Sequence, residues 1–298
     1  MRVLSFGEVL WDVYPDKKVI GGAPFNFAGS FASLGGNATL VSAVGNDEAA
    51  SETIQAVQAL SVDTDMIAHT QYPTGFCLVT VNEQGVPNYE LRRGVAYDYI
   101  PVPPNIQEKC FDALYFGTLA QRSEVSADSL RKIIESVHCK EIIFDINIRQ
   151  FYYDRQILEN GLKACSVLKF SREEAFVFTE TGIMERERCM DDMSFLQLLC
   201  RYLAKFYDIR TIAVTLDKDG AFAFSREEDK FYFSEKPQGA VISTVGAGDS
   251  FCAAFLYGLL QNKPLDICLN NAVIVSDYVV GCWESVPVLP AKIINRLQ

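Results

Sequence analysis

Residues 242–255 read ISTVGAGDSFCAAF. Gly246, Ala247 and Gly248 form a tight turn, and Phe251, Ala254, Phe255 and Gly258 then follow at the spacing of one face of a helix leaving it. A glycine turn that opens a helix leaves the first N–H groups pointing outward, which makes an anion hole. Asp249 falls in the first helical turn, where the positive end of the helix dipole favours an ionised carboxylate. A base beside a phosphate cradle suggests phosphoryl transfer to a hydroxyl. The same letters also spell an ordinary turn and a capped helix, which many α/β proteins carry.

The rest of the chain bounds that reading. With 298 residues, 49% of them hydrophobic, the sequence can bury a large core. A formal charge of −11 disfavours a general nucleic-acid or anionic-membrane surface, so an anionic ligand must be met locally. The first residues, MRVLSFGEVLWDVYP, are expected to form a strand rather than a signal peptide, because Glu8 and Asp12 interrupt the apolar run. No apolar stretch approaches a membrane span. Nine cysteines (77, 110, 139, 165, 189, 200, 252, 268 and 282) show no C-x-x-C pair, which suits a reducing cytoplasm and mostly packing roles. His69 and His138 are the only histidines, too few for a recognisable zinc cluster or Cys–His dyad.

Taken in order, a strand over 2–6, a helix from Pro24 to the Gly35-Gly36 stop, a strand over 38–44 and a helix over 47–60 give β-α-β-α, which calls for a parallel sheet. Residues 74–82 and 86–92 read instead as a hairpin around Glu83-Gln84-Gly85, and a hairpin interrupting a βα series must lie outside the main sheet. Alternation resumes with strands at 113–116, 141–145, 167–170 and 211–215. Helices are predicted over 126–137, 154–163, 173–178 and 194–205, and an antiparallel pair over 221–225 and 230–233. A long helix over 265–280 follows the anion-hole helix. No linker or repeat divides the chain, so a single domain over 1–298 is expected.

A second glycine-rich stretch, Gly21-Gly22-Ala23-Pro24-Phe25-Asn26-Phe27-Ala28, stands ahead of Thr244-Val245-Gly246-Ala247-Gly248-Asp249-Ser250. In this order the two resemble the signatures of the PfkB, ribokinase-like, carbohydrate kinases, and the resemblance runs from Ser5-Phe6-Gly7-Glu8 to Val286-Pro287. It implies an α/β three-layer sandwich with a mainly parallel central sheet and a small β-sheet lid, formed by about 12–22 and 74–100. It further implies ATP as phosphoryl donor, Mg²⁺, and a possible homodimer through the lid. Asp249 is then the catalytic base, with the N–H groups of Gly246, Ala247 and Gly248 meeting the transferring oxygens.

Asp12, Gly22, Asn26, Arg92 and Arg149 match the family's sugar-binding positions, although Leu91 replaces the tyrosine that often precedes the arginine. Asp145-x-Asn147-x-Arg149 resembles the family's D-x-N-x-R, and Ser171-x-x-Glu174 its N-x-x-E, whose glutamate orients Mg²⁺ through water. Thr215, Gly220, Asn147, Ser171 and Asn271 resemble nucleotide-binding positions, with Asp217 standing where a glycine is usual. Ser243 replaces the aspartate that often helps hold a monovalent cation, which predicts weak or absent K⁺ activation. Gly7-Glu8-x-x-x-Asp12 and Gly22-Ala23-Pro24 look fructokinase-like, so fructose is the expected sugar. Ribose, 2-keto-3-deoxygluconate and nucleosides remain alternatives within the family. A non-catalytic sugar sensor on the same fold is an alternative of another class; a dinucleotide oxidoreductase lacks the early G-x-G-x-x-G.

Overall fold

Alternate side chains along the central strands belong to two separate apolar clusters, which is the signature of a sheet covered on both faces. In β1 (Arg2–Phe6), Val3 joins one cluster while Leu4 and Phe6 join the other. The computed structural model describes residues 1–81, 87–187 and 189–297.

After β1 the chain makes two strands of a smaller sheet, β2 (Leu10–Val13) and β3 (Lys18–Gly21), then α1 (Ala23–Ser33), β4 (Asn37–Val44), α2 (Glu48–Ala59) and the short β5 (Ile67–His69). β6 (Phe76–Val81) and β7 (Pro87–Leu91) return to the smaller sheet, whose order is β3-β2-β6-β7. The chain next enters β8 (Ala113–Phe116), α3 (Glu124–Ser136), β9 (Glu141–Asp145), α4 (Arg155–Ala164), β10 (Val167–Ser171), α5 (Phe176–Glu180), α6 (Asp192–Phe206) and β11 (Thr211–Thr215). An antiparallel extension, β12 (Ala221–Ser225) and β13 (Lys230–Phe233), precedes α7 (Ala247–Leu260), α8 (Leu265–Val280) and α9 (Ala291–Leu297).

Among the described residues the main sheet has nine strands in the order β13-β12-β11-β10-β9-β8-β1-β4-β5, parallel from β11 through β5. Leu130 and Ile133 of α3, Leu158 and Leu162 of α4 and Leu199 and Leu203 of α6 pack on one face. Phe27 and Phe31 of α1, Val57 of α2, Phe251 and Phe255 of α7 and Leu269 of α8 pack on the other. α7 is buried along almost its whole length between α1, α8 and the sheet, which accounts for its lack of a polar face. Asp47, Asp154 and Asp191 cap α2, α4 and α6 by accepting from backbone N–H groups at 2.8–3.0 Å.

The three-layer sandwich and the separate small sheet agree with expectation; three details differ. The stretch MRVLSFGEVLWDVYP makes two strands and not one, because β1 stops at Phe6 and Gly7 (φ 142°) redirects the chain, so that Asp12 lies inside β2 of the small sheet. The helix expected over 173–178 is a 3₁₀ turn, Glu173–Ala175, running into α5, since the Glu174 carboxylate folds back onto the Ser171 N–H. β5 and α9 were not anticipated; β5, three residues long, is too short to show a period. The predicted turn Glu83-Gln84-Gly85 lies outside the described residues.

The chain runs outward from β1 to β4 and β5, then returns to the other side of β1 at β8. The switch point therefore lies between β1 and β8, and ligands of such sheets bind outside the carboxyl ends of the strands there.

Candidate active site

α7 begins at that end of the sheet. Gly246, its N-cap, adopts φ 82°, and a Cβ at this position would stand 2.3 Å from the Ser285 carbonyl oxygen, so no other residue fits without movement. Asp249 follows in the first turn, only 5% exposed. Its Oδ2 accepts from Asn26 Nδ2 at 2.8 Å, and Asn26 Oδ1 in turn accepts from Ser285 Oγ at 2.9 Å. The serine hydroxyl thereby fixes which face of the amide is offered to the carboxylate. Burial, followed by the charge of Asp145, pushes the Asp249 carboxyl up to about 6, against the opposing effects of the Asn26 hydrogen bond, Arg149 and Lys169.

Around Asp249 stand Glu8, Gly22, Asp12 and Arg149, from four other segments. Glu8, just past β1, is buried, accepts from the Ala23 N–H at 3.3 Å, and is pushed up to about 7 by burial, with Arg149 pulling the other way. Gly22 has φ 114° and lies so near the Glu8 carbonyl that a Cβ would sit 2.5 Å from it, which brings the start of α1 against the loop after β1. Asp12 reaches the same region from β2: burial raises its carboxyl above the ordinary range, while Arg149 and Cys77 oppose the rise. Arg149 is exposed and acts electrostatically on Glu8, Asp12 and Asp249 together. Arg92, about half exposed, pairs with Glu90 at 3.1 Å.

On the other side of the first turn of α7 lies a cavity of about 460 Å³. Its walls include Ala247 and Gly248 of α7, Ser171 at the end of β10 and Glu174 beyond it, Thr215 at the end of β11 and Gly220 beyond it, and Val273, Ser276 and Asp277 of α8. Asn147 (φ 39°) and Asn271, a buried residue of α8, are not on that wall. Asp217 takes φ 54°, the left-handed conformation a glycine would adopt without strain, and it also lines the cavity. Ser243 Oγ accepts from the Val245 N–H at 3.3 Å.

Glu174 ties the loops together: one carboxylate oxygen accepts from the Ile148 N–H at 2.8 Å and the other from the Ser171 N–H at 2.7 Å. Each oxygen keeps a further lone pair, so the group suits a water-mediated hold on Mg²⁺ but not a caged one. Among the described residues no cluster of three or more His, Cys, Asp or Glu is arranged to ligate a metal.

Two features escaped the reading of the sequence. Lys169 of β10 and Asp145 of β9 form a buried ion pair at 3.0 Å, and Asp145 also accepts from Tyr115 Oη at 3.1 Å and Cys252 Sγ at 3.5 Å. Glu8 figured in the sequence only as a motif letter, without a role. The available signal for Lys169 was a charged residue inside an otherwise apolar strand, VLKFS.

Residues 4–291 match the family described as pfkB family carbohydrate kinase. The chain belongs to that family. It is 27% identical over 282 residues to a fructokinase of Salmonella typhimurium, covering 89% of this chain and 87% of that one. It is 24% identical over 296 residues to a 5-dehydro-2-deoxygluconokinase of Geobacillus thermodenitrificans, covering 91% and 82%. In fold it is similar to an uncharacterized sugar kinase of Pyrococcus horikoshii solved in complex with ATP, with a TM-score of 0.80, 24% identity and coverage of 99% and 100%. This pfkB member is thus a carbohydrate kinase in the general sense, and no helix among its described residues is long and apolar enough to cross a membrane.

Proposed function

We propose that the protein transfers the γ-phosphoryl group of ATP to a hydroxyl of a free sugar, with fructose the first candidate. The observation that carries this reading is the Asp249 carboxylate, buried, held at 2.8 Å by Asn26, and set one residue beyond the cavity wall of Ala247 and Gly248. ATP occupies the cavity between α7, α8 and the ends of β10 and β11, with Ser171, Thr215 and Gly220 along it. Asn147 and Asn271, the other nucleotide positions the family resemblance implies, do not line this cavity. The sugar lies on the Asp249 side, where Asp12 and Asn26 offer an acceptor and an amide to its hydroxyls, Gly22 gives backbone access, and Arg92 and Arg149 supply positive charge. The small sheet acts as a lid over it.

The acceptor oxygen forms a bond to the γ-phosphorus while the bond from that phosphorus to the bridging oxygen breaks. ADP leaves with the electron pair, and Asp249 takes the hydroxyl proton. The N–H groups at the start of α7 meet the charge on the transferring oxygens. Glu174 would hold Mg²⁺ through water, and the ion would supply neutralisation of phosphate charge. The relatives' names span several sugars, and fructose is favoured here by Gly7-Glu8-x-x-x-Asp12 and Gly22-Ala23-Pro24. A cytoplasmic setting belongs to the same reading, because all nine cysteines are free thiols.

ADP release measured across fructose, ribose, 2-keto-3-deoxygluconate, fructose 6-phosphate and a nucleoside tests the assignment and names the substrate. Asp249→Asn should fold and bind ATP, yet lose roughly 10²–10⁴-fold in kcat. With the carboxyl raised to about 6, wild-type kcat/KM should fall as the pH drops through 6, because the base is lost on protonation. Near-normal turnover by Asp249→Asn would remove the base from the mechanism.

A further inference from the structure

The cavity assigned to ATP has an electrostatic problem. Its charged lining comprises the carboxylates Glu173, Glu174, Asp217 and Asp277 against the ammonium groups of Lys169 and Lys218. A polyphosphate entering it meets more negative than positive charge, in a protein whose formal charge is already −11. Lys218 is exposed and screened by solvent, whereas the Lys169 side chain is only 7% exposed.

The position of Lys169 is one that stability alone disfavours. Its Nζ lies so near the first turn of α7 that a Cβ on Gly248 would sit 3.0 Å from it, so glycine at 248 leaves room for the ammonium. A cation beside the positive end of a helix is repelled by the dipole, and its burial carries a desolvation cost. Asp145, its direct neighbour across the β9–β10 register, offsets both: burial acts to lower the lysine's pKa, but the carboxylate beside it, with Glu174 further off, holds the group charged well above its ordinary value. Among the described residues Asp145 is the one hydrogen-bond partner of Nζ, so an ammonium with three N–H donors has two left, on a residue that lines the cavity. Positive charge from the side chain and from the helix N–H groups thus converges on one spot of the wall.

We propose that Lys169 contacts the phosphate oxygens of the bound nucleotide from the cavity floor, with Asp145 as the residue that positions it. This rests on the kinase reading and adds a cation that the glycine turn by itself lacks. A charge-assisted hydrogen bond of this kind corresponds to a roughly ten- to hundred-fold change in affinity.

The test is calorimetric titration of the full chain with ATP, ADP and adenosine in Mg²⁺ buffer. Lys169→Met should bind ATP and ADP roughly ten- to hundred-fold more weakly while adenosine affinity changes less than about two-fold. A merely structural role would move stability and leave that selectivity alone. Because Lys169→Met strands a buried Asp145, the double variant Lys169→Met with Asp145→Asn, which removes both charges, is measured beside it and should show the same selective loss. ATP affinity equal to wild type in either variant, or equal loss for ATP and adenosine, overturns the assignment while leaving the kinase intact. A wild-type chain that neither binds ATP nor releases ADP with any sugar overturns both.

Discussion

Two carboxyls, Glu8 and Asp249, share the hollow beside α1, and the charge of Asp249 adds to the rise at Glu8. Both are raised by burial, so ionising them opposes folding, and the effect has a definite sign. A carboxyl whose folded pKa is about 7, against 4.5 when exposed, favours the folded state below about 4.5 and loses that contribution as the pH rises through 7. Glu8→Gln removes the charge while keeping an oxygen for the Ala23 N–H. The variant should therefore be more stable than wild type at pH 8, on the order of 2–3 kcal/mol, with the difference vanishing by pH 4.5. Denaturant unfolding of both proteins at several pH values reads this directly, and a difference independent of pH would show that the Glu8 carboxyl has the same pKa folded and unfolded. Asp249 and Asn26 were legible in the sequence because each sits in a local glycine-rich motif. The pairing of Lys169 with Asp145 was not, because it depends on a register between two parallel strands that only the folded sheet sets.

Helix and strand identities were legible where the local pattern is strong. The parallel strands are buried on both faces and read as apolar runs, and the aspartates that cap α2, α4 and α6 mark their starts. Harder to see was why α7 must begin where it does. Its N-cap, Gly246, is wedged against Ser285, and Ser285 also holds Asn26, which holds Asp249. The start of one helix, the segment after α8 and the start of α1 are thus one mechanical unit. In Gly246→Ala the methyl group meets the Ser285 carbonyl and the backbone keeps a left-handed φ that alanine resists, about 1–3 kcal/mol from the strain alone. Displacement of Ser285 should loosen the Asn26 amide, so kcat should fall along with stability. Unfolding midpoint and turnover are measured together; a variant with wild-type values of both would show that this contact does not fix the site.

At the scale of the whole molecule, the question is how the small sheet is held against the large one. The connection from β7 to β8 passes Gly94, Val95 and Asp98, and Asp98 Oδ2 accepts from the Gly94 N–H at 2.8 Å. Arg122, which follows β8, meets the other oxygen of the same carboxylate at 2.8 Å, donates to Tyr97 Oη at 2.9 Å and to the Arg92 carbonyl, and stacks over the rings of Tyr97 and Tyr152. Its side chain is 2% exposed. One arginine therefore clamps the end of the small sheet to the core, next to the segment that carries Arg149. If the small sheet is the lid proposed above, its angle is set here. Arg122→Met keeps the stem packed against the two tyrosines but leaves Asp98 buried without its cation, a loss of roughly 3–5 kcal/mol. Adding Asp98→Asn removes the stranded charge and should return much of that stability without restoring the clamp. In this double variant the KM for the sugar should rise several-fold while the affinity for ATP stays unchanged, since the nucleotide cavity shares no wall with the clamp. Initial-rate kinetics with each substrate varied in turn separate the two effects. An unchanged sugar KM would make Arg122 a stabilising pair and nothing more, whereas a parallel loss for both substrates would place the damage in the main sheet and not in the lid.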